Sequence, residues 1–299
     1  MSHITRRDFL KSGAALAGTL AGARYVPAAE TAKVKRSATD WVQLGRSRLR
    51  VTRLGIGTGT NGGQVQREMS QEAFTAMIRH AYDRGIRFFD TADNYNEMHE
   101  KLAVALKGID RESYTIQTKM NWHGEQDVNK TIDRFRQELQ SDYFDSLLMH
   151  CTTTAAWPQE LQRLMDSLDE AKSKQWILTH GASCHGLNPL RAMPGVAWLD
   201  VALLRVNHDG MHMDGPTGEW AEAGRRDEAV EEIRKIHTAG TGVIGMKIMG
   251  NGDFTEKSRR EASIQFVMGL DCVDAVIIGF KSPAEIDEAI GLMDKHLNA

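Results

Sequence analysis

Short apolar runs alternate with amphipathic stretches along this chain from about residue 54 to its end. Leu54-Gly55-Ile56-Gly57-Thr58-Gly59 reads as a short strand whose glycines let another group approach the backbone. A helix is expected next, with Ser70 as N-cap, Ala73, Phe74, Met77, Ile78 and Ala81 on one face, and Gly85 ending it. The alternation then repeats. Strand 88–90 precedes a helix over 97–107, strand 114–119 one over 128–139, and strand 144–149 one over 159–174. Strand 176–180 precedes a short helix at 187–192, and strand 200–206 a helix over 228–238. Strand 242–247 leads to a weakly patterned helix at 257–268, and strand 275–278 to a helix over 284–297. Ahead of these units, apolar residues alternate on either side of Gly45-Arg46 between Trp41 and Val51, which predicts a hairpin.

Strands that alternate with helices pair in parallel, because a parallel neighbour can be reached only by a crossover. Eight such units over about 250 residues fit an α/β fold of the closed kind, a (β/α)8 TIM barrel with an N-terminal β-hairpin. An open doubly wound sheet is the competing architecture. Gly57-Thr58-Gly59-Thr60-Asn61-Gly62 has the glycine spacing of a dinucleotide-binding turn, but its place at the head of an eight-fold repeat favours the barrel.

Asp90 ends the second strand of the repeat and Tyr95 follows on its loop; Lys119 and His150 end the next two strands. In a barrel, strand ends converge on one mouth. A phenol, an ammonium, a carboxylate and an imidazole gathered there suit reduction of a carbonyl. The tyrosine would protonate the developing alkoxide, with its pKa lowered by the lysine. The aspartate would keep that lysine charged, and the histidine would orient the carbonyl oxygen. This sequence resembles the aldo-keto reductases, in which these four residues at these places form the catalytic tetrad. The resemblance runs over roughly residues 41–298.

The resemblance implies a nicotinamide cofactor, NADP(H) or NAD(H), and a small-molecule carbonyl substrate. It places the cofactor against Gly57 and Thr58, and against Ser183 and Cys184 in a Gly-Ala-Ser-Cys segment that replaces the family's Gly-x-Ser-Asn. Met246 and Lys247 stand where many members carry a tyrosine stacked on nicotinamide. Gly279, Lys281, Glu285 and Glu288 belong to the segment that holds the adenosine end, with Glu285 where an arginine is frequent. The chain ends just after its last helix, without the long tail that shapes the pocket in many members, so an open pocket is expected, lined by Trp122, His123 and Trp157.

Two other readings stay open. One is a metal-dependent enzyme using His150, Cys151, Cys184 and His185, which are good zinc ligands without a standard spacing. The other is a non-catalytic cofactor-sensing barrel like the potassium-channel beta subunits, since fold does not fix function.

The first 28 residues read as a signal rather than as part of the fold. Arg6-Arg7 with Phe9-Leu10-Lys11 precede a small-residue apolar run, Gly13 to Gly22, too short to span a bilayer. This resembles a twin-arginine signal peptide, with cleavage after Ala28. It implies the twin-arginine export machinery as a partner, a location in the bacterial periplasm and no stable membrane insertion. Residues 29–40 read as a linker and 41–299 as the barrel. The remaining composition adds exclusions. Net charge is -3, and the arginines at 46, 48, 50 and 53 read as a solvated hairpin, so no nucleic-acid partner is expected. Three cysteines do not make a disulfide framework.

Overall fold

Eight of the apolar runs lie side by side, each in parallel register with the next, and the last returns to the first. The computed structural model describes residues 35–122, 127–219 and 222–299. In chain order it contains β1 (Trp41–Gln43), β2 (Arg50–Thr52), β3 (Leu54–Gly57), α1 (Gln64–Arg67), α2 (Gln71–Asp83), β4 (Phe88–Asp90) and α3 (Met98–Leu106). Then come β5 (Thr115–Met120), α4 (Val128–Glu138), β6 (Phe144–Thr152), α5 (Trp157–Glu160), α6 (Gln162–Ser173), β7 (Ile177–Cys184) and α7 (Leu187–Ala192). The chain finishes with β8 (Val201–Arg205), α8 (Arg226–Thr238), β9 (Gly242–Met246), α9 (Lys257–Met268), β10 (Ala275–Ile278) and α10 (Pro283–Leu297). β1 and β2 form an antiparallel hairpin, and β3 to β10 close a parallel barrel in which β10 pairs with β3. This is the (β/α)8 barrel with an N-terminal hairpin.

Side-chain alternation along the strands makes two cores. The outer one lies between strands and helices. Phe74, Met77, Ile78 and Ala81 of α2 are buried in it, while Ala73 stays exposed at the edge of the helix face. Ser70 caps α2 by accepting the Ala73 N–H at 3.1 Å. The inner core fills the barrel with Phe88, Leu148, Val201, Leu203, Ile244, Ala275 and Ile277. Leu44, Leu49 and Val51 of the hairpin belong to the same cluster, so the hairpin plugs the N-terminal end of the barrel. Burial of each Val, Leu, Ile or Phe among these contributes roughly 1.5–3 kcal/mol. Gly45 makes the plug possible. It has φ of 50°, and a Cβ there would sit 2.4 Å from the Gly240 carbonyl oxygen.

Several boundaries differ from the sequence expectation for identifiable reasons. β6 continues to Thr152 through an irregularity after Met149, where Cys151 takes φ of 59°. β7 runs to Cys184 rather than 180 because it follows β6 across that bulge. The helix expected over 159–174 is two helices, α5 opening with Trp157-Pro158 and α6 beginning at Gln162. The stretch read as a linker is docked from residue 36. Arg36 N–H donates to Asn298 Oδ1 at 2.8 Å, Ala38 N–H to Asp294 Oδ1 at 2.7 Å, and Ala38 is fully buried. Residues 1–28, expected from the sequence to be a signal peptide, lie outside the described residues. Among the described residues no helix is long and apolar enough to cross a membrane.

Candidate active site

β4 and β5 pair Asp90 with Gln117, so Lys119, two positions on, shares Asp90's face inside the barrel. Lys119 Nζ lies 2.7 Å from Asp90 Oδ2 and donates to the Thr91 carbonyl at 2.6 Å. Gln117 Nε2 donates to the other Asp90 oxygen at 2.9 Å. Both charged residues are about 1% exposed. Burial pushes the Asp90 carboxyl up and the Lys119 ammonium down, and their mutual ion pair opposes both shifts. Tyr95 ends a single 3-10 turn, Asp93–Tyr95, which brings its ring back over the strand ends. Lys119 Nζ is 5.2 Å from the Tyr95 ring centroid. His150 meets the same ring edge-on, with centroids 5.6 Å apart and planes at 84°. The four residues expected from sequence are therefore brought together. Gly59 leaves room for the phenol, because a Cβ at that position would stand 2.5 Å from the Tyr95 hydroxyl.

One electrostatic expectation is corrected. The Tyr95 phenol is held well above its ordinary value, first by burial and then by the negative charge of Asp90. The lysine's pull is largely cancelled by the aspartate beside it, so the resting phenol is a neutral proton donor. His150 is pushed well below the ordinary imidazole range by burial, then by the charges of Lys119, His185 and Lys247. It is a neutral hydrogen-bonding group.

A cavity of about 340 Å³ opens from Tyr95, Lys119 and Asp90, within the range of small-ligand sites. It runs past Gly57, Met246 and Lys247 to Gly279, Lys281, Glu285 and Glu288 at the start of α10. Those expected residues share one groove at the C-terminal ends of the strands. Other expected residues lie elsewhere. Thr58 is fully buried and spends its hydroxyl on the Asp90 carbonyl at 3.1 Å. Ser183 accepts the Cys151 N–H at 2.9 Å and so fixes the bulge after His150. Cys184 faces outward into the helix layer, since Ser183 takes the inward position of the strand. Trp157 does not line the cavity: it is 1% exposed and its indole N–H reaches the Pro189 carbonyl at 3.3 Å. Trp122 braces the bulge, donating to the His150 carbonyl at 2.7 Å. His123 lies outside the described residues. Cys151 Sγ and His185 Nε2 are 3.3 Å apart, yet among the described residues no three His, Cys, Asp or Glu side chains converge as metal ligands.

Sequence reasoning missed several groove residues. Gln66 of α1 donates to Thr60 Oγ1 at 3.2 Å and to the Phe280 carbonyl at 3.3 Å, and among the described residues its side-chain amide oxygen Oε1 is buried without a hydrogen-bond partner. Arg260 of α9 holds Glu288 through Nε at 2.6 Å and Nη2 at 3.2 Å. Asn251, after β9, meets Asn61, after β3, at 3.2 Å across the groove. Gly62-Gly63 after Asn61 was the one available signal for a special turn there.

The sequence profile described as Aldo/keto reductase family matches residues 53–269. The chain belongs to the aldo/keto reductase family. Solved structures share the barrel at low identity. A Pseudomonas aeruginosa protein described as an aldo-keto reductase is 20% identical, with a TM-score of 0.69 over 87% of this chain and 98% of its own. The holo form of an aldo-keto reductase from Bacillus halodurans is 18% identical, with a TM-score of 0.68 over 86% and 95%. An aldo-keto reductase from Klebsiella pneumoniae in complex with NADPH is 16% identical, with a TM-score of 0.64 over 87% and 90%. At these identities the likeness is one of fold, and the aldo/keto reductase barrel here must be read from its own residues.

Proposed function

We propose that this protein is a nicotinamide-dependent oxidoreductase that reduces a carbonyl or oxidises the matching alcohol, with Asp90, Tyr95, Lys119 and His150 as its catalytic groups. The observation that carries the reading is the single groove joining Tyr95 and Lys119 to the start of α10. The Klebsiella relative's complex with NADPH supports a dinucleotide as its occupant.

The residues present fit such a group. The amide oxygen of Gln66 is an unused acceptor in the groove wall. At Gly279 a Cβ would lie 2.1 Å from Thr60 Oγ1, so only glycine leaves the passage open. Met246, Gly57 and Ile277 line the catalytic end, and Gly279, Lys281 and α10's first turn line the far end. The bound nicotinamide would supply or accept the hydride. Tyr95 delivers the proton to the substrate oxygen as a neutral phenol. His150, neutral and edge-on to the phenol, donates a hydrogen bond that orients that oxygen. Lys119, charged through Asp90, stabilises negative charge on the phenol oxygen as its proton leaves.

Glu285 sets the cofactor preference in this reading. Its carboxylate accepts the Lys281 N–H at 2.7 Å, and so occupies a backbone donor at the groove's far end. The adenosine 2'-phosphate that distinguishes NADPH from NADH would meet a like charge there. We expect NADH to bind at least as tightly as NADPH. Glu285→Arg is expected to move the affinity ratio toward NADPH by about tenfold or more. The test is titration of nucleotide-free protein with each cofactor, followed by tryptophan emission and then by aldehyde reduction. Saturable binding of neither nucleotide would overturn the oxidoreductase reading.

Export completes the proposal. Arg6-Arg7 and the short apolar run after them support a twin-arginine signal, and a folded export route suits a barrel that leaves with its nucleotide in place. The Asn61–Asn251 contact is a clasp suited to retaining it. Changing both arginines, Arg6→Lys and Arg7→Lys, is expected to leave the precursor in the cytoplasm, as read by cell fractionation. Undiminished export of that variant would refute the signal.

A further inference from the structure

A chain of hydrogen bonds runs behind the catalytic groups, on the outer side of the barrel, and joins the strand of Lys119 to the turn of Tyr95. Thr118, next to Lys119 on β5, meets His99 Nε2 of α3 through its hydroxyl at 2.8 Å. The other ring nitrogen of His99 lies 2.7 Å from Glu138 Oε2 of α4. Arg134, one turn earlier on α4, donates through Nη1 to Glu138 Oε1 at 2.9 Å and through Nη2 to Asp93 Oδ1 at 2.8 Å. Asp93 opens the 3-10 turn that Tyr95 ends. Thr118 and His99 are buried and Arg134 is half-exposed, so the network runs from the core to the surface.

The turn needs a restraint from outside itself. Straight after Tyr95 the chain passes through two left-handed residues that are not glycine, Asn96 with φ of 33° and Glu97 with φ of 57°. Such conformations are disfavoured and persist where the surrounding structure holds them. On the inner side the hold is packing, since a Cβ at Gly63 would lie 2.8 Å from Tyr95 Cβ. On the outer side lies a second cavity, of about 320 Å³, lined by Asp93, Asn96, Glu97, His99, Arg134 and Glu138. Space on that side leaves the ion pair between Asp93 and Arg134 to hold the turn.

We propose that Arg134 is a positioning residue for the reaction, acting through Asp93 to keep the Tyr95 hydroxyl at the groove. The proposal rests on the oxidoreductase reading above and adds to it a residue outside the groove. Arg134 is absent from the groove wall, so its loss changes where the phenol stands and not what binds. A half-exposed ion pair contributes little to stability, whereas a displacement of about 1 Å at a reacting group can cost about 10²-fold in rate. That difference in scale separates positioning from general support of the fold.

The test compares Arg134→Met with Arg136→Met, which removes an ion pair to Asp133 from the same helix. In Arg134→Met, kcat for aldehyde reduction should fall roughly ten- to a hundredfold, with KM and nucleotide affinity within about twofold. Arg136→Met should stay near the wild type. Arg134→Lys, which keeps a cation within reach of Asp93, should recover most of the loss. In a Tyr95→Phe background Arg134→Met should cost nothing further, because it acts through the phenol. Should Arg134→Met not fold, Asp93→Asn carries the same expectations. An unchanged kcat, an equal loss in Arg136→Met, or the same fold-loss in both backgrounds overturns the proposal. A second readout needs no turnover. The chain has five tyrosines, so in [13C]tyrosine-labelled protein Tyr95 is identified by the resonance lost in Tyr95→Phe. Its ring signal should shift in Arg134→Met and not in Arg136→Met, and an unmoved ring also overturns the proposal. A wild type that reduces aldehydes while neither ring nor kcat responds to Arg134→Met would leave the oxidoreductase reading standing. A wild type that reduces none, with a ring that shifts, would sink that reading and leave the hold of Arg134 on Tyr95 intact.

Discussion

Tyr95→Phe abolishes most of the turnover of a simple aldehyde, by roughly 10²–10⁴-fold, while nucleotide affinity stays within about twofold. The size follows from the role: the variant removes the proton donor and nothing else. Phenylalanine fills the same space between Gly59 and His150, so the ring stays edge-on to the imidazole. Among the described residues the phenol also has no hydrogen-bond partner to strand, because the Asp90–Lys119–Gln117 bonds form without it. The pertinent measurement pairs steady-state reduction with a nucleotide titration of the same preparation. A variant retaining a tenth or more of the wild-type kcat would remove Tyr95 from the proton-donor role. Loss of nucleotide binding in step with activity would recast the residue as part of the groove wall.

Lys119→Met should be the most damaging single change to stability at the site. It leaves the Asp90 carboxylate about 1% exposed with Gln117 as its side-chain donor. Breaking a buried pair in this way costs about 3–5 kcal/mol, whereas replacing both members can be nearly neutral. Asp90→Asn combined with Lys119→Met should therefore recover much of the loss. The pH dependence gives an independent sign. Without the lysine, the folded-state pKa of Asp90 rises further above its unfolded value, because burial already raises it and the opposing ammonium is gone. A carboxyl raised on folding binds its proton more readily in the native state, so stability falls as pH climbs from the unfolded pKa through the folded one. The deficit of Lys119→Met should thus be smaller at pH 5 than at pH 8. Denaturant unfolding of the single and double variants at both pH values is the check, and a deficit that grows toward acid would contradict an ionised Asp90 in the wild type.

The strand–helix alternation makes the barrel readable in the sequence, because short apolar runs alternate with helices such as α2, α4 and α10, which are capped by Ser70, Asp127 and Ser282 and bury one face. The four candidate catalytic residues were readable for a related reason: three sit at or near strand ends, where position along the chain fixes position in the mouth. The failures have one physical source each. The likeness of Gly181-Ala182-Ser183-Cys184 to the family's Gly-x-Ser-Asn puts Cys184 on the cofactor, but β7 runs to Cys184 and alternation turns that side chain outward. Trp157 was placed in the pocket as a loop aromatic, but Trp157-Pro158 opens a helix that buries it. Gln66, Arg260 and Asn251 reach the groove from a four-residue helix, a weakly amphipathic helix and a left-handed turn. None of those carries a periodic signal. The raised Tyr95 pKa is illegible in sequence because it depends first on how deeply the phenol is buried and then on its distance from Asp90.

The stitch between Arg36 and Asn298 nearly closes residues 36–298 into a ring. Arg36 N–H bonds to the Asn298 side chain at 2.8 Å, and that side chain returns a bond to the Arg36 carbonyl at 2.7 Å. Helices run opposite to strands in a barrel, so the end of α10 and the start of the hairpin both lie at the plugged end, far from Tyr95. A tether attached just after Asn298 therefore pulls on the floor of the barrel and leaves its mouth facing outward. The polypeptide could be joined across that stitch and reopened in another exposed loop without disturbing the chemistry.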